Sequence, residues 1–90
     1  MKTVETLYRE RKRLENAILE NLDFLMGSIS TKGPQRPGFN LTFKINQVTR
    51  TRHIRKELEP RIKQMTARWR RLRVLLHQLS DLNWERLNHE

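Results

Sequence analysis

Basic side chains that could bind phosphate are concentrated in the middle of this sequence. Between Lys32 and Arg73 there are 13 Lys and Arg residues but only two acids, a net charge of +11. Residues 1–31 are neutral and residues 74–90 carry −2, so the overall +9 comes from this central block. Such a concentration of charge repels itself in a folded chain. The partner that most commonly compensates for it is a phosphate backbone, through counterion release and electrostatic steering.

The order of residues within the block suggests how it would meet a nucleic acid. Arg50 and Arg52 alternate with threonines, and this run leads directly into further basic residues at the start of a predicted helix. Arginine suits phosphate and base-edge contacts, and threonine can contact either. The contacts that we predict are Arg50, Arg52, Arg55, Lys56, Arg61, Lys63, Arg68 and Arg71, with Lys32, Arg36 and Lys44 as a second tier.

Residues that could support catalysis are few. His53, His77 and His89 are scattered, without the His-x-x-x-His spacing of a metal site. Glu57 and Glu59 would diverge on a helix, so they favour the positive end of its dipole rather than acid/base chemistry. The chain has no cysteine and no glycine-rich phosphate loop of the Walker type. We therefore expect no enzymatic activity, no metal and no cofactor.

Composition limits the class of protein. Ninety residues allow one small domain with a limited core, so we expect a single domain over residues 1–90. The longest apolar runs are three residues and the N-terminus lacks the apolar core of a signal peptide, which predicts a cytoplasmic protein. Although 32% of the residues are charged, apolar residues recur at regular helical spacings, which argues against disorder.

The first predicted element is a helix over residues 3–26. Thr3 can cap it, and Glu5 favours the positive end of the helix dipole. Apolar residues recur at intervals of three, four and seven residues: Val4, Leu7, Leu14, Ile18, Leu22 and Leu25. A basic loop over residues 27–38 follows, because its two prolines and its glycines cannot continue the helix.

The spacing of apolar residues then changes from a period of 3.6 residues to a period of 2, which predicts a β-hairpin over residues 39–54. Phe39, Leu41, Phe43 and Ile45 alternate with polar residues, and a second run rich in β-branched residues follows Asn46-Gln47. If Asn46-Gln47 is a two-residue turn, Ile45 faces Val48, Phe43 faces Arg50 and Leu41 faces Arg52. One face of the hairpin would then combine apolar side chains with guanidinium groups.

A long helix is predicted over residues 57–87, with Pro60 tolerated in its first turn. Its apolar residues form a heptad seam of Leu58, Ile62, Met65, Trp69, Leu72, Leu76 and Leu79, widened by Leu75 and Leu82. The predicted fold is therefore α+β and mostly α, with two antiparallel helices and a hairpin between them. The long helix should overhang the shorter one, which leaves a protein interface at Leu75, Leu79, Leu82 and Trp84.

Several motifs together resemble a known family. They are Met26–Ser30, the stretch from Gly33-Pro34 to Phe39, the hairpin ending Thr51–Ile54, and the helix Trp69–Asn83 with its W-R-R-L-R and L-S-D-L-N sequences. Over about residues 25–88 the chain resembles a small bacterial domain of unknown function found in short transposon proteins and beside or within transposase genes. Members often carry cysteines before the hairpin; this chain has none there, so no metal role is carried over.

The resemblance implies a mobile-element setting and, by association, DNA, but it supplies no catalytic residue. Together with the charge it predicts a DNA-binding accessory protein that acts with a transposase or recombinase, forms homo-oligomers, and lies in the bacterial cytoplasm at the nucleoid when bound. Two alternatives stay open. One is a helical protein-interaction module that docks on a larger protein, and the other is an RNA-binding protein, since charge alone does not separate RNA from DNA.

Overall fold

The computed structural model describes residues 3–31 and 38–89. Helix α1 (Val4–Glu20) is followed by strands β1 (Ser28–Thr31), β2 (Phe39–Ile45) and β3 (Val48–Ile54), and then by a 3₁₀ turn (Lys56–Leu58) and helix α2 (Glu59–Leu87). The α+β, mostly α fold class is confirmed. The chain forms two compact units: a helical unit, residues 1–22 with 70–90, and a sheet unit, residues 23–69. Whether they act as one domain stays a prediction.

Helix α1 begins as predicted but ends six residues early. The Thr3 hydroxyl accepts a hydrogen bond from the Thr6 amide at 3.1 Å and caps the N-terminus. At the other end Asn21 is the C-cap. Its side-chain amide donates to the Ala17 carbonyl at 2.7 Å, and its backbone N–H donates to Ile18. These two bonds satisfy carbonyls that a longer helix would have used, so the predicted end at residue 26 is wrong.

The core of the helical unit lies between α1 and the C-terminal part of α2. Its buried residues are Leu7, Leu14, Leu75 and Leu82, with Ala17, Ile18 and Leu79 packed against them. Val4 and Leu7 line a cavity together with Arg86 and His89, so the start of α1 lies beside the end of α2 and the helices are antiparallel.

This packing corrects the predicted protein interface. Leu75 and Leu82 are buried and Leu79 is half-buried, all against α1, so these three residues belong to the core of the chain itself. The prediction placed the overhang at the C-terminal end of α2, but α1 packs against the C-terminal turns of this helix. Trp84 alone of the four is exposed, at 66%. Leu76, predicted in the seam, is also exposed, because a straight α-helix drifts away from a strict seven-residue repeat.

The sheet is antiparallel with the order β1-β2-β3, so the hairpin carries a third strand that the sequence analysis placed in a loop. Ser28 pairs with Thr42 and Thr31 with Phe39. The hairpin register agrees with the prediction: Ile45 opposite Val48, Phe43 opposite Arg50 and Leu41 opposite Arg52.

The start of α2 belongs to the sheet unit. Leu41 and Ile54 are buried on the apolar face of the sheet. Phe24 stacks on Trp69 of α2 with ring centroids 5.3 Å apart, and the Leu25 amide donates to the Met65 carbonyl at 3.2 Å. The extended segment after α1 is therefore held on the first turns of α2. None of the helices within the described residues is long and apolar enough to cross a membrane.

The hairpin turn places two non-glycine residues in the left-handed region of backbone conformation. Asn46 has φ +51° and Gln47 has φ +68°, as a two-residue type I′ turn requires. Asparagine tolerates this conformation better than glutamine does. We therefore expect Gln47→Gly to raise the free energy of unfolding by about 0.5–1 kcal/mol, as measured by urea titration. Thr49→Gly, inside β3, is the control and should lower it, because glycine weakens a strand interior; stabilisation by both changes would contradict the assigned turn.

Gly27 is required where the chain enters β1. Its φ is +121°, and a Cβ added there would collide with the Thr42 carbonyl oxygen of β2. We expect Gly27→Ala to destabilise the sheet unit by at least about 1–3 kcal/mol, because both the backbone conformation and the β1–β2 spacing must change. Ser28→Ala, one residue on, keeps its Cβ and should have little effect. Equal midpoints of thermal unfolding for the two variants would contradict this prediction.

Candidate nucleic-acid interface

The excess positive charge lies in the sheet unit. Its 47 residues carry ten Lys and Arg against three acids, a net +7, whereas the 43 residues of the helical unit carry nine against seven, a net +2. A surface with an excess of one sign usually serves to attract the other sign, whereas surfaces kept for solubility mix both. The candidate interface is therefore sought in the sheet unit.

Two of the predicted contacts on α2 are tied to an acid of the same unit. Arg68 Nη1 donates to the main-chain oxygen of Asp23 at 3.2 Å and to its Oδ2 at 3.4 Å, and Arg61 Nη2 lies 3.5 Å from the same Oδ2. The side chain of Arg68 is only 34% exposed. These bonds anchor the segment that precedes Phe24, so Arg68 has a structural role that the sequence analysis did not foresee.

Lys63 is also paired. Its Nζ lies 2.9 Å from Glu59 Oε1, one turn earlier on α2. Asp23 and Glu59 thus hold the cations of the first half of α2, namely Arg61, Lys63 and Arg68. Exposed pairs of this kind are weak, so they do not prevent phosphate contact, but they reduce the field on this part of the helix.

The hairpin carries the cations that remain available. Arg50 and Arg52 lie on one face of β3, about 7 Å apart along the strand. Arg55 and Lys56 follow directly, and all four residues are exposed. Within the described part of the chain, Arg50, Arg55 and Lys56 form no ion pair. The side chains that the structure leaves free for an anion are thus grouped on β3 and on the turn that follows it.

Arg52 differs from Arg50 in its surroundings. Its guanidinium lies 4.8 Å from the centroid of the Phe43 ring, in a cation–π contact. It also lines a cavity of about 260 Å³ on the apolar face, together with Phe24, Leu25, Met26, Leu41, Phe43 and Ile45. Arg52 therefore covers part of the apolar face of the sheet, in addition to its predicted contact with nucleic acid.

Two other predicted contacts, Lys44 and Arg71, are not members of this group. Lys44 is on the opposite face of the sheet, opposite Thr49. Arg71 is exposed on α2, but it belongs to the helical unit. Lys32 and Arg36 lie outside the described residues.

The second face of the sheet is entirely polar, because two serines of β1 continue the polar residues that alternate with the apolar ones on the hairpin. Its members are Ser28, Ser30, Asn40, Thr42, Lys44, Thr49, Thr51 and His53. The hydroxyls of Ser30 and Thr42 lie 3.2 Å apart and link β1 to β2. Such a face offers donors and acceptors suited to base edges, and it is equally typical of an antiparallel sheet with one solvated side.

Chemically, this arrangement can bind anions. Among the described residues, no group of three His, Asp or Glu side chains could hold a metal ion. His53, at the end of β3, has an interaction partner within the protein. No protein-family model, curated protein or solved structure matches the chain. The charge and geometry of the sheet unit are therefore the features that bear on function.

The two hairpin arginines should differ in their contribution to stability. We expect Arg52→Ala to lower the free energy of unfolding by about 0.5–1 kcal/mol, because the contact with Phe43 is lost at an exposed site. Arg50→Ala removes the same charge without such a contact and should leave the urea midpoint within experimental error. Equal losses for both variants would show that the stacking contributes nothing of its own.

Proposed function

We propose that this chain binds nucleic acid, with duplex DNA ahead of RNA, through β3 and the turn that follows it. The supporting observation is the segregation of charge: Asp23 and Glu59 hold Arg61, Lys63 and Arg68, whereas Arg50, Arg55 and Lys56 remain exposed and form no ion pair among the described residues. Phosphate contacts from such a group supply affinity and orientation without reading sequence.

The shape of the element supports duplex DNA. A β-ribbon fits the major groove, which is about 12 Å wide, whereas the deep and narrow major groove of A-form RNA excludes it. Strands β2 and β3 form a two-stranded ribbon about 4.8 Å between axes, and β3, which carries Arg50 and Arg52, is an edge strand of the sheet. The resemblance to transposon-associated proteins adds the setting, an accessory to a transposase or recombinase, as part of the same proposal.

The affinity for DNA should fall with salt concentration, to an extent set by the cations on β3 and on the turn that follows it. With contacts from Arg50, Arg52, Arg55 and Lys56, the slope of log K against log salt for duplex DNA should be about −3 to −4. Fluorescence anisotropy over a salt series, with duplex DNA, duplex RNA and single strands as parallel arms, measures it. Tighter binding to duplex RNA would overturn the preference for DNA. A slope near zero on every substrate, or no binding at low salt, would overturn the proposal as a whole.

Two matched double variants test whether the interface lies on β3 and the turn that follows it. Arg50→Ala with Arg55→Ala should weaken DNA binding by about ten- to a hundredfold and make the slope shallower by about 2, because two phosphate contacts are lost. Arg9→Ala with Arg13→Ala changes the net charge by the same amount at exposed positions of α1 and should bind nearly as the unchanged protein does. Equal weakening by both pairs would mean that net charge alone, and not the hairpin, determines binding.

A further inference from the structure

Each helix of the helical unit has a second apolar stripe besides the one buried in the core. On α1 it consists of Val4, Tyr8 and Leu19, and on α2 of Leu76, Trp84 and Leu87. These six side chains are between 44% and 69% exposed. A helix that packs on one side only needs a single stripe, whereas a helix between two neighbours carries two.

The two stripes lie on the same side of the helix pair. With 3.6 residues per turn, the middle of each stripe is displaced from its core seam by roughly 100–130°, in the same rotational sense seen from the N-terminus of its helix, and Trp84 lies at the far edge of its stripe, roughly 170° from the seam. In an antiparallel pair, equal displacements of this kind bring both stripes to one side. The six residues therefore form one surface, which we call the outer face.

The charged residues on this surface are paired with one another and leave a net charge of only +1. Arg11 Nε lies 2.9 Å from Glu15 Oε1, and Lys12 Nζ lies 3.7 Å from Glu15 Oε2. The hydrogen bond from Arg11 is the largest cause that lowers the pKa of Glu15, against the opposing effect of desolvation. The ion pair thus contributes no strong field, and apolar contact dominates the outer face.

We propose that the outer face is the interface with a second copy of this chain, which pairs two helical units into a four-helix bundle. Six side chains that each expose roughly 100 Å² would bury on the order of 600–800 Å² per protomer with their surroundings, close to the roughly 800 Å² of a stable interface. Charge favours a second copy at this surface: the helical unit carries only +2, whereas two sheet units at +7 would repel each other. Bundles of four helices bury apolar faces of this kind.

The functional consequence is bivalency. A dimer carries two basic hairpins, so a duplex with two binding sites would be held more tightly than a single site, by the effective concentration of the second hairpin. The dimer itself does not depend on nucleic-acid binding, and the two proposals can fail separately.

Sedimentation equilibrium from low to high micromolar protein tests the inference. The unchanged chain should show twice its monomer mass of 11.0 kDa. Leu76→Gln with Leu87→Gln should give a monomer that keeps its helical circular dichroism, since both positions are exposed. Val74→Gln is the control: Val74 is 56% exposed but lies on the other side of α2, so this variant should remain a dimer.

Two results would overturn the inference: a monomer for the unchanged chain at every concentration, or unaltered association of the Leu76→Gln, Leu87→Gln variant. The melting temperature gives a second readout, because that of a dimer rises with protein concentration and that of a monomer does not. A monomer that binds DNA with the expected salt slope would reject the dimer alone. A dimer that does not bind would reject only the proposed function.

Discussion

The fold of the sheet unit must accommodate the mutual repulsion of ten cations within 47 residues. Two of the three acids, Glu59 on α2 and Asp23 against it, pair with cations of this helix, and the third, Glu57, lies in the turn that precedes it. Asp23 holds Arg61 and Arg68 and so fixes the segment that leads to Phe24, which stacks on Trp69. Compensation on the helix leaves the uncompensated charge on the hairpin. One set of contacts thus supports the fold and determines which surface can attract an anion.

Arg52 shows how the fold and the proposed interface share residues. A guanidinium placed over an aromatic ring covers apolar surface while its charge stays in water. Arg50, two residues earlier on the same face, has no such partner among the described residues. Two arginines on the same face of one strand thus differ in their contacts, because only the guanidinium of Arg52 lies over the Phe43 ring.

The elements that could be predicted were those specified by local pattern. The alternation from Phe39 to Ile54 established the hairpin and its register, and the heptad-like spacing established α2. Strand β1 was missed because its four residues include only Ile29 as an apolar member, so its stability comes from pairing with β2. The end of α1 was missed because the Asn21 side chain competes for a carbonyl, which apolar spacing does not reveal.

By itself the sequence determined the number of helices, the hairpin with its register, and the location of the excess charge, because these follow from period, turn chemistry and composition. The tertiary structure decided which side chains pack in the core and which remain exposed to solvent. Leu75 and Leu82 became core because α1 packs against the last turns of α2, whereas Leu76 and Trp84 stayed outside. That division depends on where the two helices meet, and helix periodicity alone does not specify the relative register of two helices.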